Sequence, residues 1–589
     1  MMISRIKLLM LGFFAVGYFH TNHLKAQYRS SIKNETVLFN NIDAVLPLGK
    51  LDQYNIAVCT PDSNLFNQFQ DQLFRYATVN YVGFKNFDEQ VKYSNVVIVA
   101  LKSEDLTTSF VEQLKQAERN NKRIILAVFG KGDVLALLDD LKSPILWNTD
   151  LSDETQKNAA MTIFGGLSAV NKLQKTYSST FTKGMGEATS QTRIQYCLLK
   201  NDAVNIDKLG KKIDAIAEEA IAQKATPGAV VMVVKNGQVI FEKGYGYHTY
   251  SKEVPTTIHN IFDLASVSKI AGTTPVIMRL TEQGVIDLNK PIGDYLWQAK
   301  STNKKDILLK SVMLHEAGFT PFIPFYRNLK PGDVQRNYST THNVKVADSC
   351  YLLNNYYRDV MWPEMLNSEV KPVGNYVYSD ISMYVMKEVA EHQTAIPMQA
   401  YVQDNFYGPL GMKTAGYNPR ERFSKSQIIP TEQDTSFRKV LLQGYVHDQG
   451  AAMAGGVAGH AGLFATANDL AIYGQLLLNK GEYGGERYFK AETVDQFTSK
   501  QSESSRRGLG FDRWDPNVKN EYPSKLSNPT VYGHTGYTGT CIWIDPANQL
   551  VYIFLSNRVH PQVSTKLLNL NIRSRIQDAI YEVINEGKK

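Results

Sequence analysis

Cysteine is scarce in this chain. Cys59, Cys197, Cys350 and Cys541 are the only four in 589 residues, too few and too scattered for a disulfide framework or a thiolate metal cluster. Burial as small apolar side chains is what their isolation supports. Metal-ligand spacing of the H-E-x-x-H kind is also absent, so no metal and no other cofactor is expected. No long Lys/Arg run occurs, and the net charge of +7 is small for this length, which excludes a nucleic-acid binder. Internal repeats and low-complexity tracts are missing. What remains, 43% hydrophobic and 21% charged residues, is the balance of a soluble globular protein too long for one ordinary core.

The first residues read "MMISRIKLLMLGFFAVGYFHTNHLKAQ". Arg5 and Lys7 precede an apolar run from Leu8 to Phe19, too short to span a bilayer as a mature helix, and Ala26 offers a small residue before Gln27. This pattern predicts a secretory signal peptide over 1–26 and hence a periplasmic or secreted protein of bacterial type. An uncleaved membrane anchor is the alternative. No cysteine ends the apolar run, which argues against a lipid anchor, and no later stretch is apolar for long enough to cross a membrane. No stable membrane insertion is expected after cleavage.

From 34 to 192 the chain alternates apolar runs with amphipathic stretches. "NIAVCT", "VNYVGF", "VVIVAL" and "RIILAVFG" read as buried strands, with "LFNQFQDQLFRYA" and "SFVEQLKQAERNN" as helices between them. Continuous apolar strands alternating with helices predict a mostly parallel sheet covered on both faces. The segment resembles the C-terminal α/β sandwich domain of family 3 glycoside hydrolases, on "ETVLFNNIDAVLPL" at its start and "AAMTIFGGLSAVNKLQ" with "FTKGMG" at its end. In that family the catalytic aspartate belongs to a preceding barrel of roughly 250 residues. Only the signal segment stands before it here, so the resemblance implies no glycosidase activity.

A polar connector, 193–205, separates this part from a different rhythm over 206–589. Ile206, Leu209, Ile213, Ile216 and Ala220 recur at helical spacing. "GAVVMVVKNGQVIFEKGYG" reads as a hairpin turning at Asn236-Gly237, and "CIWIDPANQLVYIFLSN" as another. A closing helix follows, with Leu567, Leu568, Ile572, Ile576, Ile580 and Val583 on one face. Terminal helices beside antiparallel hairpins, with a helical middle, predict one α+β domain whose ends meet. The whole is a multi-domain chain.

"FDLASVSKIAGTTPVIMRL" places Ser266 three residues before Lys269 in an apolar setting. Ser-x-x-Lys alone decides nothing, since it also occurs at Ser4, Ser30, Ser301, Ser368 and Ser436. Context separates this one. A serine opening a helix gains from the free N–H groups and the dipole. Residues three apart share a helical face, so Lys269 reaches Ser266, and burial would lower its pKa and make it a proton acceptor. The alternative is a lysine that merely snorkels to water. Downstream, Tyr378-Ser379-Asp380 precedes a helical run and His534-Thr535-Gly536 leads into a strand.

The ordered triple S-x-x-K, Y-x-N/D, K/H-T-G resembles the serine β-lactamases and penicillin-binding proteins, closest to class C β-lactamases, D,D-peptidases and esterases, over about 205–589. "SVMLHEAGF" and "GHAGLFATANDLAIYG" agree with it. The resemblance implies an antiparallel sheet flanked by helices plus a helical subdomain. It makes Ser266 the nucleophile, with Lys269 and Tyr378 sharing its proton, and the N–H groups of Ser266 and Tyr537 the oxyanion hole. Asp380 stands where many relatives carry Asn; it would bond Lys269 or a substrate amide. His534 replaces the commoner lysine; it would bind a substrate carboxylate or assist Tyr378. Thr535 and Gly536 would complete the substrate-binding strand edge. His315, His447, Asp448 and His460 are expected in supporting positions behind the cleft. The aromatic-rich stretch 321–374 either lines that cleft or packs the helical part.

The leading expectation is a secreted serine hydrolase acting through an acyl-enzyme on Ser266, on D-alanyl peptides of cell-wall origin or on esters. Its partner is a small-molecule or peptidoglycan-derived substrate, with no nucleic acid. A β-lactamase is one alternative. A non-catalytic scaffold that docks a separate partner glycosidase domain is another.

Overall fold

The computed structural model describes residues 35–196 and 204–587; the expected signal segment and Cys197 lie outside them. Among the described residues no helix is long and apolar enough to cross a membrane, and Cys59, Cys350 and Cys541 are buried free thiols.

Six strands, β1 (Val37–Phe39), β2 (Ile56–Cys59), β3 (Val79–Val82), β4 (Val96–Lys102), β5 (Arg123–Phe129) and β6 (Ile145–Asn148), form the first sheet in the order β1-β6-β5-β4-β2-β3. All neighbours are parallel except β1 against β6. The four apolar runs are strands β2 to β5; β2, β4 and β5 are buried as expected, but β3 is not, because it is the sheet's edge and Asn80 and Tyr81 are exposed. The sheet's far edge, β6 and β1, was not among the predicted strands; both are short and take their place only by pairing. Alternate residues of β4 serve opposite faces. Val97, Val99 and Leu101 meet α2 (Thr108–Arg119), while Val96, Ile98 and Ala100 pack with α1 (Asn67–Tyr76) and α3 (Asp153–Phe164).

The second sheet is antiparallel throughout. Its order is β11-β12-β13-β14-β7-β8, from β7 (Gly228–Lys235), β8 (Gln238–Gly246), β11 (Asp512–Arg513), β12 (Tyr532–Thr535), β13 (Cys541–Asp545) and β14 (Leu550–Ser556). The β7–β8 turn has Asn236 and Gly237 both at positive φ, 53° and 73°, the conformation a two-residue hairpin demands. Period-two alternation divides two cores. Ala229, Val231 and Val233 of β7, with Tyr552 and Phe554 of β14, face α4 (Ile206–Ala222) and α8 (Ile572–Glu586). Val230, Met232 and Val234, with Val551, Ile553 and Leu555, face a larger helical core that includes α7 (Ala467–Leu478). Because a one-residue slip would exchange these faces, burial on both sides sets the register. The two terminal helices meet, with Lys208–Glu586 at 2.6 Å and Arg575–Glu219 at 2.6 Å. Leu568, expected on the closing helix, is instead exposed on a separate short turn at 566–569.

The connector begins packed rather than loose. Gln195 N–H donates to Gly237 O at 2.9 Å and Val239 N–H to Gln195 O at 2.9 Å, adding a rung beside β8. Arg193 is buried, and its guanidinium donates to Leu48 O at 2.6 Å, Phe164 O at 2.7 Å and Gly49 O at 2.5 Å. Arg75 bonds Glu242 of β8 at 2.7 Å and lies 4.3 Å over the Tyr196 ring. Arg75, partly buried, therefore ties α1 to β8, while Arg193 anchors the start of the connector to the first part of the chain. Arg193→Met should cost about 2–3 kcal/mol, because three carbonyls lose a charged donor. An unchanged thermal unfolding midpoint in the variant would contradict this.

Candidate active site

The site is built where a strand pair ends. Strand β9 (Phe262–Asp263) pairs with β10 (Phe464–Ala465) and delivers Leu264-Ala265-Ser266. Ala265 has φ of 46°, a left-handed conformation that costs a residue with a Cβ about 1–2 kcal/mol. The buried Asp263 holds it there: one oxygen accepts Ala265 N–H at 2.9 Å and the other His447 N–H at 2.7 Å. The end of β12 is tied to the same turn. Thr538 donates to Asp263 O at 2.8 Å and Thr540 to Leu264 O at 3.0 Å. Gly536 lies so close that an added Cβ would come within 2.5 Å of Leu264 O. Only glycine fits there. Among the described residues, the N–H groups of Ser266 and Tyr537, one on each side of this junction, have no backbone acceptor.

Beyond Ser266 the chain is not a plain helix. A π-turn spans Lys269–Thr273 before α5 (Thr274–Glu282); such insertions gather at functional sites. Its displaced carbonyls are taken up by side chains: Thr274 Oγ1 donates to Lys269 O at 2.8 Å, Tyr407 to Ala271 O at 2.7 Å and Tyr473 to Ile270 O. The turn of Ser266 and the aim of Lys269 are thereby held from several elements.

Lys269 is fully buried. Its Nζ donates to Ser266 Oγ at 3.0 Å, to Asp380 Oδ1 at 2.8 Å and, more weakly, to His460 O at 3.4 Å, and it stands 4.7 Å from the centre of the Tyr378 ring. Here the structure corrects an expectation. Burial pushes the ammonium down, but Asp380 and Tyr378 outweigh it, so its pKa lies above the ordinary lysine value. The Tyr378 hydroxyl is raised by burial against the pull of the neighbouring Lys269. Both groups rest protonated. Tyr378 is set by its neighbours: Ser379 N–H donates to His315 Nδ1 at 3.2 Å, and the His315 ring lies 4.7 Å from that of Tyr378. Asp380 opens α6 (Asp380–Thr394).

His534 departs from its expected roles. Nδ1 lies 2.7 Å from Thr535 O and Nε2 lies 3.2 Å from Arg507 Nη1. A carbonyl only accepts and a guanidinium only donates, so the proton sits on Nδ1 and Nε2 accepts. Burial, then Arg507 and Lys269, push its pKa down to about 3. It is neutral at physiological pH, with both nitrogens committed, and its ring centre is 6.1 Å from that of Tyr378. The cation of this wall is Arg507, buried, whose Nη2 donates to Tyr376 Oη at 2.9 Å. Arg507 was missed in the sequence because nothing in "SSRRGLGF" distinguishes it from a surface arginine.

The remaining candidates divide. Thr535 pairs with Cys541 at the strand end, and the exposed Tyr537 lies with its ring 5.4 Å from His447. Asp448 accepts Ala451 N–H at 2.7 Å and lies 3.0 Å from His460 Nε2, with carboxylate atoms of Asp448 and Asp380 within 4.8 Å of each other. Of the aromatic stretch, Phe325, Tyr356 and Trp362 are core, whereas Phe322 is exposed.

A family model described as beta-lactamase matches residues 213–576. A protein of Salmonella heidelberg named "Putative D-alanyl-D-alanine carboxypeptidase" is 30% identical over 374 residues, spanning 59% of this chain and 82% of its own length. Among solved structures, "EstCE1, a hydrolase with promiscuous acyltransferase activity" aligns at 17% identity and a TM-score of 0.48 over 64% of this chain and 99% of its own. A penicillin-binding protein homologue from Caulobacter crescentus aligns at 16% identity and a TM-score of 0.48, over 64% and 98%. The matched span holds both halves of the antiparallel sheet and every residue gathered around Ser266, and by that match the chain belongs to the β-lactamase family of serine hydrolases.

Proposed function

We propose that this protein cleaves D-alanyl peptides of cell-wall origin as a D,D-carboxypeptidase, through an acyl-enzyme on Ser266. The carrying observation is the buried Lys269 ammonium, 3.0 Å from Ser266 Oγ, 2.8 Å from Asp380 Oδ1 and 4.7 Å from the centre of the Tyr378 ring. The named activity of the Salmonella relative supports the substrate class. Once the Lys269 ammonium has given up its proton, Ser266 Oγ attacks the penultimate D-alanyl carbonyl and its own proton passes to the Lys269 amine beside Tyr378. The Ser266 and Tyr537 N–H groups receive the developing oxyanion. Collapse breaks the peptide bond, the same pair returns the proton to the leaving D-alanine nitrogen, and water then hydrolyses the ester. Arg507 supplies the positive field for the substrate carboxylate that the neutral His534 lacks. That neutrality also favours a second reading, hydrolysis of simple esters without a terminal carboxylate; β-lactam cleavage is a lesser one.

The expected signal segment supports a periplasmic or secreted setting, where cell-wall peptides occur. In this reading residues 34–192 are an accessory domain of the family 3 glycoside hydrolase C-terminal kind. The Arg75–Glu242 pair ties it to the hydrolase domain at 206–589, where it is available to a partner glycosidase.

Fluorescent penicillin and a fluorophosphonate should both label Ser266, with labelling abolished in Ser266→Ala. Release of D-alanine from D-alanyl-D-alanine peptides should then exceed turnover of p-nitrophenyl esters and nitrocefin. A folded sample labelled by neither probe would refute the acyl-enzyme, and ester turnover alone would favour the second reading.

Lys269 must be an amine to accept a proton, so acylation rises with pH through its pKa. Asp380→Asn removes the carboxylate that raises this pKa, and the rise should move to lower pH by at least about one unit. A pH profile of fluorophosphonate labelling that does not move would exclude Asp380 as the group holding that proton.

A further inference from the structure

His315 closes the short helix Leu309–Met313 in a Schellman turn: its N–H donates to Val312 O at 3.1 Å, and Glu316 N–H to Ser311 O at 2.8 Å. The turn puts His315 at φ 58°, where helices usually carry glycine. A buried histidine kept there against the backbone's preference points to a task for its side chain. Its contacts show the task. His315 O accepts Val377 N–H at 2.8 Å, and His315 Nδ1 accepts Ser379 N–H at 3.2 Å. One residue thus grips the chain on both sides of Tyr378, and its ring lies 4.7 Å from the Tyr378 ring. Burial, then Arg507 and Lys269, hold the imidazole well below its ordinary pKa, so it is neutral and Nδ1 remains an acceptor.

Glu316, also buried, holds a second segment. Its Oε1 accepts the hydroxyls of Ser502 and Ser504, the latter at 2.8 Å. Ser502 Oγ in turn accepts Ser505 N–H at 2.8 Å and the Ser505 hydroxyl at 2.9 Å, and Ser505 Oγ accepts Arg507 N–H at 3.3 Å. Arg507 O closes the loop by accepting Gln501 N–H at 2.9 Å. Residues 501–507 form no helix or strand, so the hydrogen bonds that end on Glu316 decide where Arg507 leaves the turn. Its guanidinium carbon then stands 5.4 Å from the centre of the Tyr376 ring and 5.5 Å from that of Tyr378.

We propose that His315-Glu316 is a positioning dipeptide: His315 sets Tyr378 beside Ser266 and Lys269, and Glu316 sets Arg507 for the carboxylate of the substrate. Both act through another residue, not on the reacting atoms. Because the two are adjacent in the chain, they tie the proton-handling wall of the site to its anion-binding wall, and a shift of one peptide moves both. An error of about 1 Å in such placement costs on the order of a hundredfold in rate. The dipeptide's role rests on Ser266 being the acylated residue, and not on a D-alanyl substrate.

Two readouts on the full chain separate its halves. Fluorophosphonate labelling of Ser266 needs the nucleophile but no carboxylate. His315→Gly, which suits the left-handed backbone, should slow it at least about tenfold. His315→Asn should regain most of that rate, because asparagine tolerates this φ and its Oδ1 can take the Ser379 N–H. The second readout compares the phenylacetylglycyl ester of 3-hydroxybenzoate with that of 3-hydroxybenzamide. The wild type should favour the carboxylate by at least about tenfold in kcat/KM, the range of one charged hydrogen bond. Glu316→Ala should bring this ratio to near one through KM. Glu316→Gln, which keeps Oε1, should restore the ratio, and His315→Gly should leave it in place. Unslowed labelling in His315→Gly, or an Asn variant no faster than the Gly variant, overturns the inference. So does a ratio near one in the wild type, or one retained in Glu316→Ala. If these results hold but D-alanyl-D-alanine peptides release no D-alanine, the D-alanyl reading fails and the dipeptide's role stands. If D-alanine is released while His315→Gly and Glu316→Ala behave as the wild type, the reading stands and the role falls.

Discussion

A lysine with no exposed surface must be paired, because an ammonium left alone in an apolar interior is too costly to retain. Lys269 is that lysine, and much of the hydrolase core is arranged to satisfy it. Asp380 supplies the charge, Ser266 Oγ and His460 O the remaining acceptors, and the Tyr378 face covers it. These partners come from three stretches of chain. The pairing therefore also fixes how the Ser266 turn, the start of α6 and the loop before β10 stand relative to one another. The same pairing keeps the proton on Lys269 at rest. The amine form then depends on a proton leaving through Tyr378 or Asp380, or on substrate disturbing the pair.

A second constraint joins the sheet to this centre. Gly536 has no room for a Cβ against Leu264 O, and Thr538 and Thr540 bond the carbonyls of Asp263 and Leu264. The strand edge and the nucleophile turn are in effect one rigid piece. That is why the strain at Ala265 persists: Asp263 and the neighbouring strand over-determine it. Asp380, which pairs with Lys269, also stands beside Asp448 and His460.

Much of this was legible before any coordinates. The strands β2 to β5 were visible as apolar runs, the β7–β8 turn as Asn-Gly, and Ser266, Lys269, Tyr378 and Asp380 as an ordered set. Local chemistry carried each of these. The π-turn was not visible, because it depends on Tyr407, Tyr473 and Thr274 receiving displaced carbonyls from outside the motif. Strands β1 and β6 escaped because they gain strand character from pairing with each other and, for β6, with β5. Arg507 escaped for the same kind of reason, since an arginine becomes a buried cation only when His534 and Tyr376 surround it.

By itself the sequence determined which residue types meet and in what order along the chain, since periodicity and turn chemistry act over a few residues. It also carried the resemblance that named Ser266. The charge states were decided only by tertiary structure. Isolated burial predicted a lowered lysine pKa, and the carboxylate 111 residues away reverses it. His534, standing where relatives carry a lysine, is kept neutral by its burial and then by the Arg507 guanidinium beside it. Electrostatic energies depend on distances of a few ångströms between groups far apart in sequence, and folding alone sets those distances.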